Sequence, residues 1–368
     1  LSEKLIGKKR YKKEPAMKRK GNLWSSIIDK NNIQQAIYNA SKGKRNRAIV
    51  KKILNNIVHY TNEIQKILIS GYVASEYDKK KIFDGARQKE RIIYRPKFYP
   101  DQIIHWCLMQ IVESSFIRGN YIFSCASIRG RGQIYAVKYI QKILRNDRKH
   151  TKYNLKLDIN KFYPSIDKSI LKHKFRRIIK DRDTLILLDT IVDSYEEPTG
   201  VPIGNYTSQF FANYYLQELD HFIKEKLKVP YYIRYMDDIL IFGNNKKKIH
   251  CAKNEIENFI NKEKLTLKKN WRVSKTDTEP IDFIGKRFYR DYTTIRDTTF
   301  LRLKRRIKKI SKKSTLNYKD ATAVISYHGM LKHTNTYKVK QKYLYPFVDI
   351  DKCKEVIQNE SRKRYKTK

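Results

Sequence analysis

The chain has 368 residues, enough for a large core and two or three subdomains, and its 81 Lys and Arg against 37 Asp and Glu give a formal charge of +44. That footprint, with a pI near 10.0, points to a polynucleotide partner, although charge alone fits a structural RNA-binding protein equally well. No apolar run reaches membrane-span length, no apolar signal core follows the basic N-terminus, and Cys107, Cys125, Cys251 and Cys353 lack metal or disulfide spacing. A membrane protein, a zinc protein and a disulfide scaffold are therefore disfavoured, and a cytoplasmic setting is expected.

Residues 1–22 are rich in Lys and Arg and weakly periodic, and read as a solvated basic arm that includes Met17, an alternative start to Leu1. Residues 23–150 carry helical spacings at Ile33, Ile37, Ile53, Ile57, Ile64 and Ile67, followed by a basic extended stretch around Arg91. Strand and helix signals alternate over residues 151–296. A strand at 154–159 delivers Asp158 at its end, a helix is expected over 208–227 after a turn at Gly204, two apolar strands occupy 231–235 and 239–243, and a further helix covers 256–264. The remainder, 297–368, reads as helical with a basic tail. Over 300–313, Phe300, Leu303, Ile307 and Ile310 form one apolar stripe in a helix otherwise covered by Arg and Lys, among them Arg302, Arg305 and Lys309.

The most informative feature is Tyr235-Met236-Asp237-Asp238, two adjacent carboxylates at the tip of a tight hairpin. The flanking strands are apolar on both faces, which marks them as central and buried. Like charges side by side are poor stability design, and Met-Asp lacks the chemistry that two-residue turns prefer. Hard oxygen ligands on a rigid hairpin suit Mg²⁺; a solvated acidic turn is the competing reading. Asp158 adds a carboxylate from a second strand, as a two-metal centre for in-line phosphoryl displacement requires.

With these residues in view the chain resembles a reverse transcriptase. Asp158 matches the first metal-binding aspartate of the palm, Tyr235 to Asp238 match the YxDD box, and Tyr163 matches the aromatic gate against the sugar of the incoming nucleotide. A core aromatic is the alternative for Tyr163. The segment Ile203-Gly204-Asn205-Tyr206-Thr207-Ser208-Gln209 has the [IVL]GxxxSQ form of the reverse transcriptases of diversity-generating retroelements, where most relatives carry QGxxxSP. Further stretches resembling that family are Lys89 to Ile92, Tyr99 to His105, Ser127 to Gly132 and Ser326 to His333, so the resemblance runs from about residue 18 to about residue 345. Gln102 and Met330 depart from it, where Arg and Trp are usual.

The resemblance implies an α+β fold, a right-hand polymerase with helical and extended fingers (23–150), a ferredoxin-like antiparallel palm sheet (151–296) and a helical thumb with a basic tail (297–368). It implies RNA-directed DNA polymerase activity with two Mg²⁺ ions held by Asp158, Asp237 and, in a lesser part, Asp238, with Ile159 adding its backbone carbonyl. Nucleotide contacts fall to Lys89, Arg91, Phe162, Tyr163, Ile203, Gly204, Gln209 and Lys268, with Lys269 an alternative to Lys268 as the lysine facing the departing pyrophosphate. Arg91 also reads as a surface strand charge. Nucleic-acid contacts fall to Arg129, Arg131, Tyr235, Gly285 in a primer-grip hairpin, Arg302, Arg305 and Lys309.

The implied partners are a structured template RNA, its cDNA product, a primer, deoxynucleoside triphosphates and a small basic helical accessory variability protein. An isoleucine at 203 cannot hydrogen-bond where accurate relatives carry glutamine, and error-prone copying at template adenines is the expected trait. A retron-like or anti-phage defence reverse transcriptase is the alternative within enzymes, and an inactive RNA-binding scaffold the alternative outside them.

Overall fold

The computed structural model describes residues 19–84 and 89–366. Most of the expected basic arm lies outside the described residues. Its last part is not solvated chain: Lys20 forms a parallel bridge with Ile179, its N–H donating to the Ile178 carbonyl (2.8 Å) and its carbonyl accepting from Lys180 N–H (2.8 Å).

The helical reading of the first third holds. Asp29 caps the helix Lys30–Ser41 by accepting from Asn31 and Asn32 N–H, and Ile33, Ile37, Ile53 and Ile64 of this region are fully buried. These helices pack around Ile103–Ile117, whose residues are apolar on almost every side, the pattern of a helix enclosed by others. The extended stretch becomes a two-stranded hairpin, β1 (Asp78–Asp84) and β2 (Lys89–Arg95), antiparallel with Ile82 opposite Arg91.

The central sheet has four antiparallel strands: β3 (Tyr153–Asp158), β4 (Tyr231–Tyr235), β5 (Asp238–Gly243) and β6 (Arg272–Lys275), in the spatial order β4-β5-β3-β6. Helices between β3 and β4, and the helix Lys246–Lys262 between β5 and β6, complete a β–α–β–β–α–β chain path, the ferredoxin-like arrangement. Strand β5 is buried on both faces as its composition dictates. Ile239 and Ile241 join Leu155, Leu157 and Tyr232 in the main core, while Leu240 and Phe242 meet Ile233, Ile140 and Phe283 in a second cluster.

The structure redraws several expected elements. The helix at 208–227 is three consecutive pieces, Tyr206–Tyr215, Gln217–His221 and a wider-wound turn Phe222–Lys226. Leu265-Thr266-Leu267, which reads in the sequence as a strand leading to Lys268, forms no named strand, and Leu267 makes an isolated bridge to Ile159. A small sheet of β7 (Ile281–Phe283), β8 (Lys286–Phe288) and β9 (Thr293–Ile295) follows β6. The helix Asp297–Ser311 buries Leu303, Ile307 and Ile310 against Val324 and Leu331 of Tyr318–Leu331 and against Cys353. Arg306 of this helix donates to Asp320 Oδ1 (2.7 Å), and Lys313, just past the helix end, pairs with the other oxygen of that buried carboxylate.

His105, 2 % exposed on Ile103–Ile117, gives a pH signature. Burial pulls its imidazole down to about 4, against a weaker opposing pull from Asp101. The unfolded chain takes up this proton near pH 6.5 and the folded chain does not, so stability is complete above that pH and falls as acid is added toward pH 4. The expected loss is ~3 kcal/mol from this group. Urea unfolding of His105→Leu across pH 4.5 to 7.5 should show a correspondingly flatter profile, and parallel curves for the two chains would remove His105 from the acid response.

Candidate active site at the carboxylate hairpin

Strands β4 and β5 are joined by a two-residue turn, with Tyr235 paired to Asp238 and Met236 in the left-handed region (φ 55°). A long side chain rarely adopts that conformation, which suits glycine far better. The next register pair brings Asp238 directly opposite Asp158 on β3, so the two carboxylates rise from one face with Cα atoms roughly 4.5–5.5 Å apart. Asp237 sits on the turn beside them, its carbonyl accepting from Ile159 N–H at 3.4 Å.

Two lysines attend the cluster. Lys268 donates from Nζ to Asp158 Oδ2 (2.6 Å) and from its backbone to the Asp158 carbonyl (2.8 Å), while Lys156 Nζ lies 3.4 Å from Asp238 Oδ1. Asp158 Oδ1 is buried with no hydrogen-bond partner. Burial pushes the Asp237 carboxyl up to about 6, and the charges of Asp158 and Asp238 push the same way. Burial also raises Asp238, against the pull of Lys156. Among the described residues no three Asp, Glu, His or Cys side chains are gathered tightly enough to enclose an ion as they stand. The donor set nevertheless fits a hard divalent cation: three crowded carboxylates, an orphaned oxygen on Asp158, and lysines already holding the charge that a cation would neutralise.

Beside the carboxylates, Tyr163 is pushed up to about 12 by burial and by Asp237, and its hydroxyl points at the Met236 sulfur, 3.8 Å away. Phe162 is buried beneath it, edge-on at 5.7 Å. The backbone here is gripped by residues that sequence reading missed. Val201 N–H donates to the Tyr163 carbonyl (3.0 Å), and Gly200, at φ 93°, lies so close that a Cβ would stand 2.8 Å from Pro164. Lys161 turns the chain into this segment through a left-handed φ of 43°.

Gly204 binds the β1–β2 hairpin to the centre of the molecule. Tyr94 N–H donates to the Ile203 carbonyl (2.8 Å), and a Cβ on Gly204 would meet the Tyr94 carbonyl oxygen at 2.5 Å. Gly204 and Gln209 line a cleft of about 620 Å³ whose rim carries Lys44, Arg47, Arg95 and Lys97. Its wall includes the stacked rings of Trp106 and Tyr206, 4.2 Å apart. Two buried polar atoms in this lining, His105 Nδ1 and Asn205 Oδ1, have no hydrogen-bond partner. A basic rim beside aromatic rings is the combination of features that receives single-stranded nucleic acid.

On the other side, Ile284 and Gly285 turn β7 into β8, both at positive φ. This tip and Arg302 of Asp297–Ser311 line a second cleft, about 830 Å³, with Met330 opposite. Arg305 and Lys309 are exposed on the same helix.

Other expected site residues fall elsewhere. Arg91 is exposed on the β1–β2 hairpin, and the side chain of Lys89 lies outside the described residues. Arg129 is exposed, whereas Arg131 donates from Nη1 to the Tyr121 (2.7 Å) and Ser124 (3.3 Å) carbonyls, holding its own loop together. Tyr235 packs partly buried against the second cluster. Lys268, not Lys269, is the lysine on Asp158.

The family described as Reverse transcriptase (RNA-dependent DNA polymerase) matches residues 25–288, and the chain belongs to it. Retron Ec73 reverse transcriptase from Escherichia coli is 29 % identical over 201 residues, which cover 50 % of this chain and 60 % of that protein. The chain thus spans about three fifths of the length of this curated relative. Among solved structures, apo telomerase from Candida tropicalis, truncated from its C-terminal domain, is similar at 14 % identity with a TM-score of 0.46, covering 64 % of this chain and 60 % of that one. No helix among the described residues is long and apolar enough to cross a membrane.

Proposed function

We propose that this chain is itself an RNA-directed DNA polymerase that extends a primer along a template RNA, with residues 23–150 as fingers, 151–296 as palm and 297–368 as thumb. One observation carries the reading: Asp158 and Asp238 stand opposite each other, with Asp237 on the adjoining turn and an unpartnered oxygen on Asp158. Asp158, Asp237 and Asp238 would hold Mg²⁺, which when bound neutralises triphosphate charge and eases ionisation of the primer hydroxyl.

The chain's own groups do the rest. Lys268, already on Asp158, is placed to neutralise or protonate a leaving phosphate. The Tyr163 ring limits the space at the sugar 2′ position, the group that distinguishes ribose from deoxyribose. Arg91, with Lys89 as helper, binds triphosphate from the finger hairpin, and a guanidinium suits phosphate because it can donate two parallel hydrogen bonds. Gly204 and Gln209 face the cleft that receives template. Gly285 lets backbone approach the primer, while Arg302, Arg305 and Lys309 meet duplex phosphates without reading sequence.

Two biological settings remain distinct. The retron-like one is supported by the Escherichia coli relative. The diversity-generating one, with its accessory variability protein and adenine errors, rests on the form of residues 203–209. The test is extension of a DNA primer on an RNA template with deoxynucleotides, followed by sequencing of the product. Extension that needs Mg²⁺ and stops with chelator is expected, and its absence would sink the polymerase assignment. Errors concentrated opposite adenine and reduced in Ile203→Gln would establish the diversity-generating reading, whereas an even spectrum unaffected by that change would leave the retron-like one.

A further inference from the structure

Beneath the carboxylate turn lies an ion pair closed to solvent. Arg234, on β4 two residues before Met236, and Asp220 are both fully buried. Arg234 Nε donates to Asp220 Oδ1 (2.7 Å) and Nη2 to Asp220 Oδ2 (2.6 Å), a two-pronged grip that only a guanidinium can make. The remaining nitrogen, Nη1, reaches the Asn213 side-chain oxygen and the Met236 carbonyl, each at 3.1 Å. Asn213 is itself fixed through its amide to the Ala126 carbonyl (2.8 Å), and the Tyr232 hydroxyl adds a donor to Asp220 Oδ1 (2.5 Å).

This arrangement connects two helices to one peptide of the turn. Asn213 belongs to Tyr206–Tyr215 and Asp220 to Gln217–His221, so the Arg234 guanidinium links both of these helices to the Met236 peptide of the turn. That turn needs holding. Met236 sits in a left-handed conformation that is unfavourable for a residue with a side chain, and it must present Asp237 beside two other carboxylates that repel it. Arg234 does not relieve that repulsion by its field, because its charge is matched by the carboxylate it grips. What it supplies is a fixed donor at the Met236 oxygen.

We propose that Arg234 is a positioning residue for the metal-binding carboxylates, acting through the Met236 carbonyl to set the backbone from which Asp237 is presented. The inference rests on the polymerase reading above for the use of the site, but not for its geometry.

The test is Arg234→Lys in the full chain, with Mn²⁺ binding measured by calorimetry in the absence of nucleotide and single-turnover primer extension measured separately. A lysine keeps the charge near Asp220 but cannot grip it and the turn together, so Mn²⁺ binding should weaken and kcat should fall by about tenfold or more, with duplex affinity within about twofold. Tyr232→Phe is the structural control: it removes one hydrogen bond to Asp220 and leaves the guanidinium contacts in place. It should lower the unfolding midpoint while leaving Mn²⁺ affinity within about twofold. Unaltered Mn²⁺ affinity in Arg234→Lys, or equal weakening in Tyr232→Phe, would overturn the inference. Should Arg234→Lys fail to fold, Asn213→Ala carries the test, since it keeps the ion pair while removing the Asn213 acceptor from Nη1 together with the Asn213 donor to the Ala126 carbonyl. Weaker Mn²⁺ binding in that variant supports the positioning role and unchanged binding rejects it. An unmodified chain that binds Mn²⁺ but extends no primer would remove the polymerase reading alone, leaving Arg234 to be judged by the metal titrations.

Discussion

Replacing Asp237 by alanine is expected to lower the rate of nucleotide addition about a thousandfold or more, corresponding to ~4 kcal/mol of barrier. The carboxylate lies between Asp158 and Asp238 in charge terms, and burial already opposes its ionisation. Removing it therefore deletes a proposed metal ligand and a source of repulsion together. The fold should not suffer: without divalent ion at pH 7.5, the melting temperature of Asp237→Ala should equal or exceed that of the unmodified chain. Duplex affinity should be kept, because the proposed phosphate contacts lie on the basic helix and cleft rims, away from Asp237. Calorimetric melting, a binding titration and single-turnover extension separate the three quantities. Near-normal extension by a folded Asp237→Ala would remove that carboxylate from the reaction.

The second large effect is expected at Gly204. Alanine there would place Cβ 2.5 Å from the Tyr94 carbonyl oxygen and force a side chain onto φ 126°. Backbone cannot yield as a flexible side chain does, so the β1–β2 hairpin must move away and the Tyr94–Ile203 hydrogen bond must lengthen or break. Such strain costs of order 1–3 kcal/mol in stability. The consequence for activity should be larger, because Arg91 rides on that hairpin and a misplacement of about 1 Å in a positioning group can cost about a hundredfold. The expected signature is a raised KM for deoxynucleotides together with a lowered kcat. Steady-state extension at varied nucleotide concentration reads both, and unchanged constants would mean the hairpin does not contribute to the nucleotide site.

Much of this was legible in the residues. Strand β5 reads as Ile239-Leu240-Ile241-Phe242, apolar at every position, and a strand of that kind must lie between two others with cores on both faces. The stripe Leu303, Ile307 and Ile310 likewise predicted which side of the helix is buried. Arg234 was not legible. A single cation inside an apolar strand gives no periodic signal, and its partner Asp220 lies on a helix 14 residues away, so only the tertiary fold reveals the pair. Asp320 escaped for the same reason, since Arg306 and Lys313 look like members of a solvated face until the helices pack. Gly200 stands in a stretch without pattern, and its need for glycine arises from a neighbour at Pro164. Periodicity reports which face an element buries; it cannot report which polar group waits on the other side.

The outer border of β4 has a consequence for how this molecule meets others. The Arg234 N–H and carbonyl that face away from β5 are taken by the Phe123 carbonyl (3.1 Å) and Cys125 N–H (2.9 Å), and the Tyr232 carbonyl accepts from the Tyr121 hydroxyl (3.4 Å). At the opposite border, β6 is only four residues long and carries Arg272 and Lys275 at its ends. A free strand from another polypeptide therefore finds no run of open main-chain groups on the first side, and a short, like-charged one on the second. Strand exchange between copies is therefore disfavoured at both margins of the four-stranded sheet.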